Sequence, residues 1–173
     1  MLRSLLSPSL TGRGLWLVAG VVLGLVIANV APVKPLHAVA TDRQSDLAIC
    51  TAPVGDGIEG VFTLDFQTGE LRGAVLNPTR KAFVLSYSAN CVNDLKIEAG
   101  KAPKFVIVSG DVSISTRGLK QYGSSAIYVA DLTSGNMAAY AIPFNPSMNS
   151  SNAAPSTQPL ELLYAGPFRA ATR

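Results

Sequence analysis

Hydrophobic positions fall into two patterns along this chain. The first is an uninterrupted run: Gly14 to Val33 reads GLWLVAGVVLGLVIANVAPV, twenty residues without a charge. The second begins after residue 46, where apolar and polar positions alternate with a period of two. Phe62, Leu64 and Phe66 take one side while Thr63 and Asp65 take the other. Phe83, Leu85 and Tyr87 repeat the pattern, as do Leu160, Leu162 and Tyr164. Successive strand side chains point to opposite faces, so this alternation predicts half-buried strands. Phe105 to Val108 is apolar at every position and predicts a strand buried on both faces.

Strands are expected near 47–52, 60–66, 71–76, 82–88, 104–109, 111–115, 125–131, 137–142 and 160–164. One helical turn is expected at Asn93–Glu98, ended by Gly100 and Pro103. Beyond the apolar run no long pattern has the 3.6-residue period of a helix. The expected fold class is therefore all-β: a small antiparallel domain (sandwich, partial barrel or meander) preceded by one N-terminal transmembrane helix.

A helix of the length of the apolar run is about 30 Å long, the thickness of a bilayer core. Its eleven Leu, Ile and Val residues favour insertion by roughly 3 to 7 kcal/mol before its glycines and Asn29 subtract. Arg3 and Arg13 precede the run, which keeps the N-terminus on the cytoplasmic side. Ala38-Val39-Ala40 is a cleavage sequence of the A-x-A type, and cleavage after Ala40 would release a secreted domain. The run exceeds the usual length of a signal core, which favours retention as an anchor. The expected organisation is a cytoplasmic tail at 1–13, a transmembrane helix at 14–33, a stalk at 34–46, and an exported β domain at 47–173. Within that domain the Ser-, Asn- and Pro-rich stretch 145–159 reads as a mobile loop. The domain then faces the periplasm or the cell exterior. Gly20 and Gly24 form a G-x-x-x-G, through which two spans would pack closely as a homodimer.

Charge changes the picture of partners. The chain carries 14 basic and 11 acidic residues, a formal charge of +3. Arg3, Arg13 and Lys34 lie in or beside the apolar run, which leaves 11 basic against all 11 acidic residues from Thr41 onward. The exported part is formally neutral and lacks the basic patch that nucleic acid requires. The adjacent pair Arg80-Lys81 reads as an exposed turn.

One hairpin motif occurs twice. Phe62-Thr-Leu-Asp65-Phe-Gln-Thr68-Gly69-Glu-Leu71 aligns with Tyr128-Val-Ala-Asp131-Leu-Thr-Ser134-Gly135-Asn-Met137. Asp at a strand end accepts turn amides, and Gly takes the positive φ that a short loop needs. Asp65, Gly69, Asp131 and Gly135 are thus structural turn residues. The motif resembles the D-x-x-T-G hairpin of quinoprotein-type β-propeller blades over about ten residues, twice. Its 66-residue offset departs from the blade period of about 40 to 50. That resemblance implies a partial propeller completed by oligomerisation, binding sugar or a quinone. Over most of residues 36–144 the chain is similar to uncharacterised single-span exported proteins found chiefly in planctomycetes. The phrases that carry the likeness are Leu36-His-Ala-Val-Ala-Thr-Asp-Arg43, Leu64-Asp-Phe-Gln-Thr-Gly-Glu-Leu71, Ala74-Val-Leu-Asn-Pro78 and Tyr128-Val-Ala-Asp131. It implies one N-terminal span with a small β domain and no particular activity.

Candidate chemistry is sparse. Cys50 and Cys91 both fall on the exported side, where an oxidising compartment allows a disulfide; two buried thiols are the alternative. Gly55-Asp56-Gly57-Ile58-Glu59-Gly60 matches G-x-G-x-x-G, but a strand follows where a dinucleotide site needs a helix. Asp56 and Glu59 are too few carboxylates for a calcium site. His37 is the sole histidine and lies in the stalk, which removes histidine triads and multi-histidine zinc sites within one chain. Ser109 with Lys101, Lys104 or Lys120 is the remaining nucleophile–base pairing, against solvated lysines as the alternative. Asn149-Ser-Ser is formally a glycosylation sequon. The sequence therefore assigns no catalytic residue, no metal ligand and no cofactor. Its expected function is a membrane-tethered cell-envelope protein with a non-catalytic β domain that binds or scaffolds an envelope protein or ligand. A small exported hydrolase or redox accessory is the alternative.

Overall fold

The computed structural model describes residues 9–30, 41–43, 45–55, 57–98, 100–115, 120–150 and 154–169. The chain divides into two units, Met1–Leu36 and His37–Arg173. In the first, α1 (Ser9–Val30) is a continuous helix that takes in the apolar run as far as Val30. Residues 31–40, including His37 and the A-x-A sequence, lie outside the described residues. The side chains described on α1, Gly14 and Trp16 to Val26, are all exposed. Among the described residues no helix is long and apolar enough to cross a membrane.

The second unit is all-β. One sheet runs in the order β1 (Thr41–Arg43), β2 (Leu47–Gly55), β3 (Ile58–Asp65), β4 (Glu70–Asn77), β5 (Ala82–Asn90) and β9 (Ser156–Pro159). The other runs β10 (Glu161–Pro167), β8 (Asn136–Pro143), β7 (Tyr122–Asp131) and β6 (Phe105–Asp111). Short hairpins join the consecutive strands from β2 to β5, and these pairs are antiparallel. A single parallel pair, β5 with β9, departs from the purely antiparallel expectation. It arises because the chain crosses between sheets after β8 and returns alongside β5. The stretch expected as a mobile loop at 145–159 instead contains a 3-10 turn at Pro146–Asn149 and β9. Part of the expected stalk, Thr41 to Arg43, is β1 and pairs with β2. Residues 112–115 form no separate strand: β6 ends at Asp111.

Both sheets contribute to one core. Phe62, Leu64, Leu71, Val75, Leu85 and Tyr87 come from the first sheet. Phe105, Ile107, Ile127, Val129, Tyr140 and Ile142 come from the second. The inward positions of β2 are small, Ala48, Cys50 and Ala52, so β6 and β7 approach its backbone directly. Ser109 Oγ donates to the Thr51 carbonyl at 2.6 Å, and Ser125 Oγ donates to the Pro53 carbonyl. Gly123 meets Val54 so closely that an added Cβ would lie 2.7 Å from its carbonyl oxygen. Hydroxyls thus tie the two sheets together at β2, where side chains are too short to do so.

Three strands depart from simple alternation. On β5 one extra residue opposes the Val75–Leu76 step of β4, so Val84 and Leu85 are both buried while Phe83 turns outward, 57% exposed. A shift by one residue moves a side chain to the opposite face. On β10 a second irregularity lies between Leu162 and Tyr164, and Leu162, Leu163 and Tyr164 are all exposed. The expected inward face Leu160, Leu162, Tyr164 reduces to Leu160, which precedes the strand and is buried. β6 is an edge strand with one covered face, so Phe105 and Ile107 are buried and Val108 is exposed, not buried on both faces.

α2 (Cys91–Asp94) starts two residues before the expected turn, because the Asn90 side chain accepts the Asn93 amide at 3.0 Å and caps it there. Lys96, at φ +53°, ends the turn.

Candidate functional site

The two repeated hairpins are built alike, one in each sheet. Asp65 Oδ1 accepts the amides of Gln67 at 2.8 Å and Thr68 at 2.9 Å. Asp131 accepts Thr133 at 3.0 Å on Oδ1 and Ser134 at 3.0 Å on Oδ2. Gly69 and Gly135 follow at φ +67° and +74°, and each donates its amide to the carbonyl of its aspartate. β3 pairs antiparallel with β4, and β7 with β8. The hairpins differ in one respect. Asp131 is buried and also accepts the Lys104 amide at 2.8 Å, so it fastens the start of β6 to the hairpin. Burial raises its pKa, but the amides of Lys104, Thr133 and Ser134 lower it by more, leaving it below the ordinary range. Asp65 is lowered by the Thr68 and Gln67 amides. The two carboxylates lie in different hairpins, and each holds the amides of its own turn, Asp131 that of Lys104 as well.

The remaining expected sites are dispersed. Cys50 on β2 and Cys91 at the start of α2 are buried, free thiols, so no disulfide joins them. Burial pushes both pKa values up to about 12. The Tyr140 hydroxyl lies 3.5 Å from Cys91 Sγ and donates to Asp94 Oδ2 at 2.8 Å. Gly55 and Gly57, at φ +136° and +71°, form the β2–β3 turn, and β3 follows where a nucleotide site would have a helix. Glu59 is exposed, and Asp56 lies outside the described residues. Ser109 forms no pair with a lysine, because its hydroxyl is taken by Thr51. Lys101 pairs with Glu98 at 2.7 Å and Lys120 with Glu161 at 2.9 Å. Asn149, the sequon residue, is buried, with its Nδ2 turned to the Leu76 carbonyl at 3.5 Å. Among the described residues no group of three or more His, Cys, Asp or Glu could hold a metal ion. Arg80-Lys81 does lie in an exposed turn, where Asn77 Oδ1 accepts the Arg80 amide at 2.9 Å.

The feature with the clearest capacity to bind is β10 with the groove beside it. Among the described residues β10 is an edge strand, paired with β8 alone. The Phe168 amide donates to the Gly135 carbonyl at 2.9 Å. By alternation Gly166 also turns to β8, and Ala165 and Pro167 turn to the free edge. Pro167 has no N–H, so the edge is open to pairing over its first half and closed at its end. Beside it a groove of about 520 Å³ has buried Phe144 and Leu160 with Met148 below and Lys120 and Glu161 at its rim. Glu161 accepts the Tyr122 hydroxyl and the Lys120 ammonium, and both hold its carboxyl below the usual range. Leu162 belongs both to the groove and to the exposed row on β10. Sequence reasoning missed this site because its apolar residues alternate as a core strand does.

No protein-family model, no curated protein and no solved structure matches this chain.

Proposed function

We propose that residues 14–33 hold this chain at a membrane, with the N-terminus cytoplasmic, and that the β domain outside the cytoplasm binds an envelope protein without performing chemistry. The observation that carries the binding reading is the exposed row Leu162, Leu163, Tyr164 and Phe168, each 40 to 52% exposed, along a sheet edge that no strand among the described residues pairs with. An extended segment of a partner would add a strand over Leu162–Ala165 and cover these side chains. The tether reading rests on the twenty uncharged residues of the sequence and on the exposure of Trp16 to Val26 along α1. Gly20 and Gly24 leave open space on that helix, where a second copy would pack. The likeness to single-span exported proteins supports the same arrangement.

The test uses the full chain in its native host. The protein should remain in carbonate-washed membranes, and protease added outside the inner membrane should digest the β domain. Leu163→Asp should release a protein that co-purifies with the wild type without lowering the melting temperature. A mature protein that begins at Thr41 would defeat the tether, and partner retention by Leu163→Asp would defeat the interface.

A further inference from the structure

The outer face of the first sheet carries a second groove, of about 490 Å³, across β3, β4, β5 and β9. Apart from Arg72, its floor is made of short side chains. Val61, Ala74, Ser86 and Thr157 form one transverse row, and Thr63, Arg72 and Ser88 form the next. At one end stands Phe83, turned outward by the extra residue in β5 and paired across the strands with exposed Leu76. At the other end Arg72 Nη2 and Glu70 Oε2 hold each other at 2.8 Å.

The alternation of Phe83, Leu85 and Tyr87 would bury Phe83, yet the bulge places its ring in solvent beside the groove. Bulges of this kind re-aim side chains next to functional sites. An exposed aromatic face binds the C–H face of a pyranose ring, while planar guanidinium and carboxylate groups bond neighbouring hydroxyls. Because Arg72 and Glu70 neutralise each other, the groove has no charge with which to select a phosphate or a carboxylate. The hydroxyls of Thr63, Ser86 and Thr157 stand among its apolar lining, and a purely apolar ligand would leave them unpaired.

The geometry points to this face of the sheet as a site for a neutral carbohydrate, with Phe83 as the stacking platform and the Arg72–Glu70 pair as the hydroxyl-binding end. The site lies on a different sheet from β10, so it stands apart from the partner interface.

Full-length protein in a detergent without a sugar headgroup would be titrated with cellotriose and with chitotriose, and separately with inorganic phosphate. Saturation-transfer NMR and calorimetry provide the readout. At least one trisaccharide should bind with a dissociation constant of about 1 mM or tighter, and phosphate should not compete. Phe83→Ala should weaken binding about tenfold or more, Phe83→Trp should retain it, and Arg72→Gln should weaken it. Leu163→Ser, on the other sheet, should leave it unchanged. Phe83 is exposed, so the alanine variant should keep the wild-type melting temperature. Absence of binding by both sugars at about ten times that concentration, or binding unchanged by Phe83→Ala, would overturn the assignment.

Discussion

Phe62 on β3 and Gly73 on β4 are direct cross-strand partners, and the Phe62 ring occupies the space that a Cβ on Gly73 would need. Tyr87 is the next partner across, and its ring stacks on Phe62 with centroids 6.1 Å apart. The glycine between the two aromatics lets their rings meet over its backbone. Gly73→Ala should therefore overpack the core and cost about 1 to 3 kcal/mol, read as a lower denaturant midpoint at unchanged slope. Phe62→Leu in the same chain should recover part of the loss. Additive effects of the two substitutions would show that the contact is not the cause.

The two hairpin glycines should respond unequally. Both hold positive φ, so alanine at either should cost about 1 to 2 kcal/mol in backbone strain. A Cβ on Gly69 would also collide with Val92 Cγ2, whereas on Gly135 it would sit 3.5 Å from Arg169 Cδ, an ordinary contact. Gly69→Ala should thus be the more destabilising of the pair by about 1 kcal/mol or more. Equal losses in thermal unfolding would mean that Val92 moves aside freely.

Much of the β domain is legible in the alternation of its residues, and the failures have physical causes. Phe62 and Leu64 face the core as their spacing requires. Phe83 and Leu162 follow the same spacing but lie next to irregular pairings, and one extra residue is enough to turn a side chain outward. β9, reading Ser-Thr-Gln-Pro, has no apolar alternation to reveal it; it forms because β5 offers an unpaired edge. The hairpin role of Asp65 and Asp131 is local chemistry and therefore visible in ten residues. Neither groove is, because the register between strands decides which side chains meet there.

Cys50 and Cys91 should behave as inert thiols in the folded protein. Burial pushes both pKa values up to about 12, so at neutral pH almost no thiolate is present to react. Alkylation should be slow in native protein and complete in denaturant, with the same electrophoretic mobility before and after reduction. Rapid labelling of either thiol under native conditions would place it at the surface.

Asp131 should dominate the acid response of the β domain. Its folded pKa is depressed, as is that of Asp65, against an unfolded value of about 3.9. A depressed carboxylate pKa contributes stability that is present above the unfolded value and is lost as pH falls through the folded one. Stability should therefore hold at neutral pH and decline below about pH 4. Asp131→Asn replaces one acceptor oxygen by an NH2 that opposes a turn amide, at a buried site holding three backbone donors together. That substitution should cost about 2 kcal/mol at pH 7 and flatten the decline in acid. Asp65→Asn should do less of both, because water reaches the Gln67 and Thr68 amides once the carboxylate is gone. Urea midpoints of the three proteins at pH 7 and pH 3 decide the matter. An Asp131→Asn protein that loses as much stability on acidification as the wild type would assign the acid response to other carboxylates.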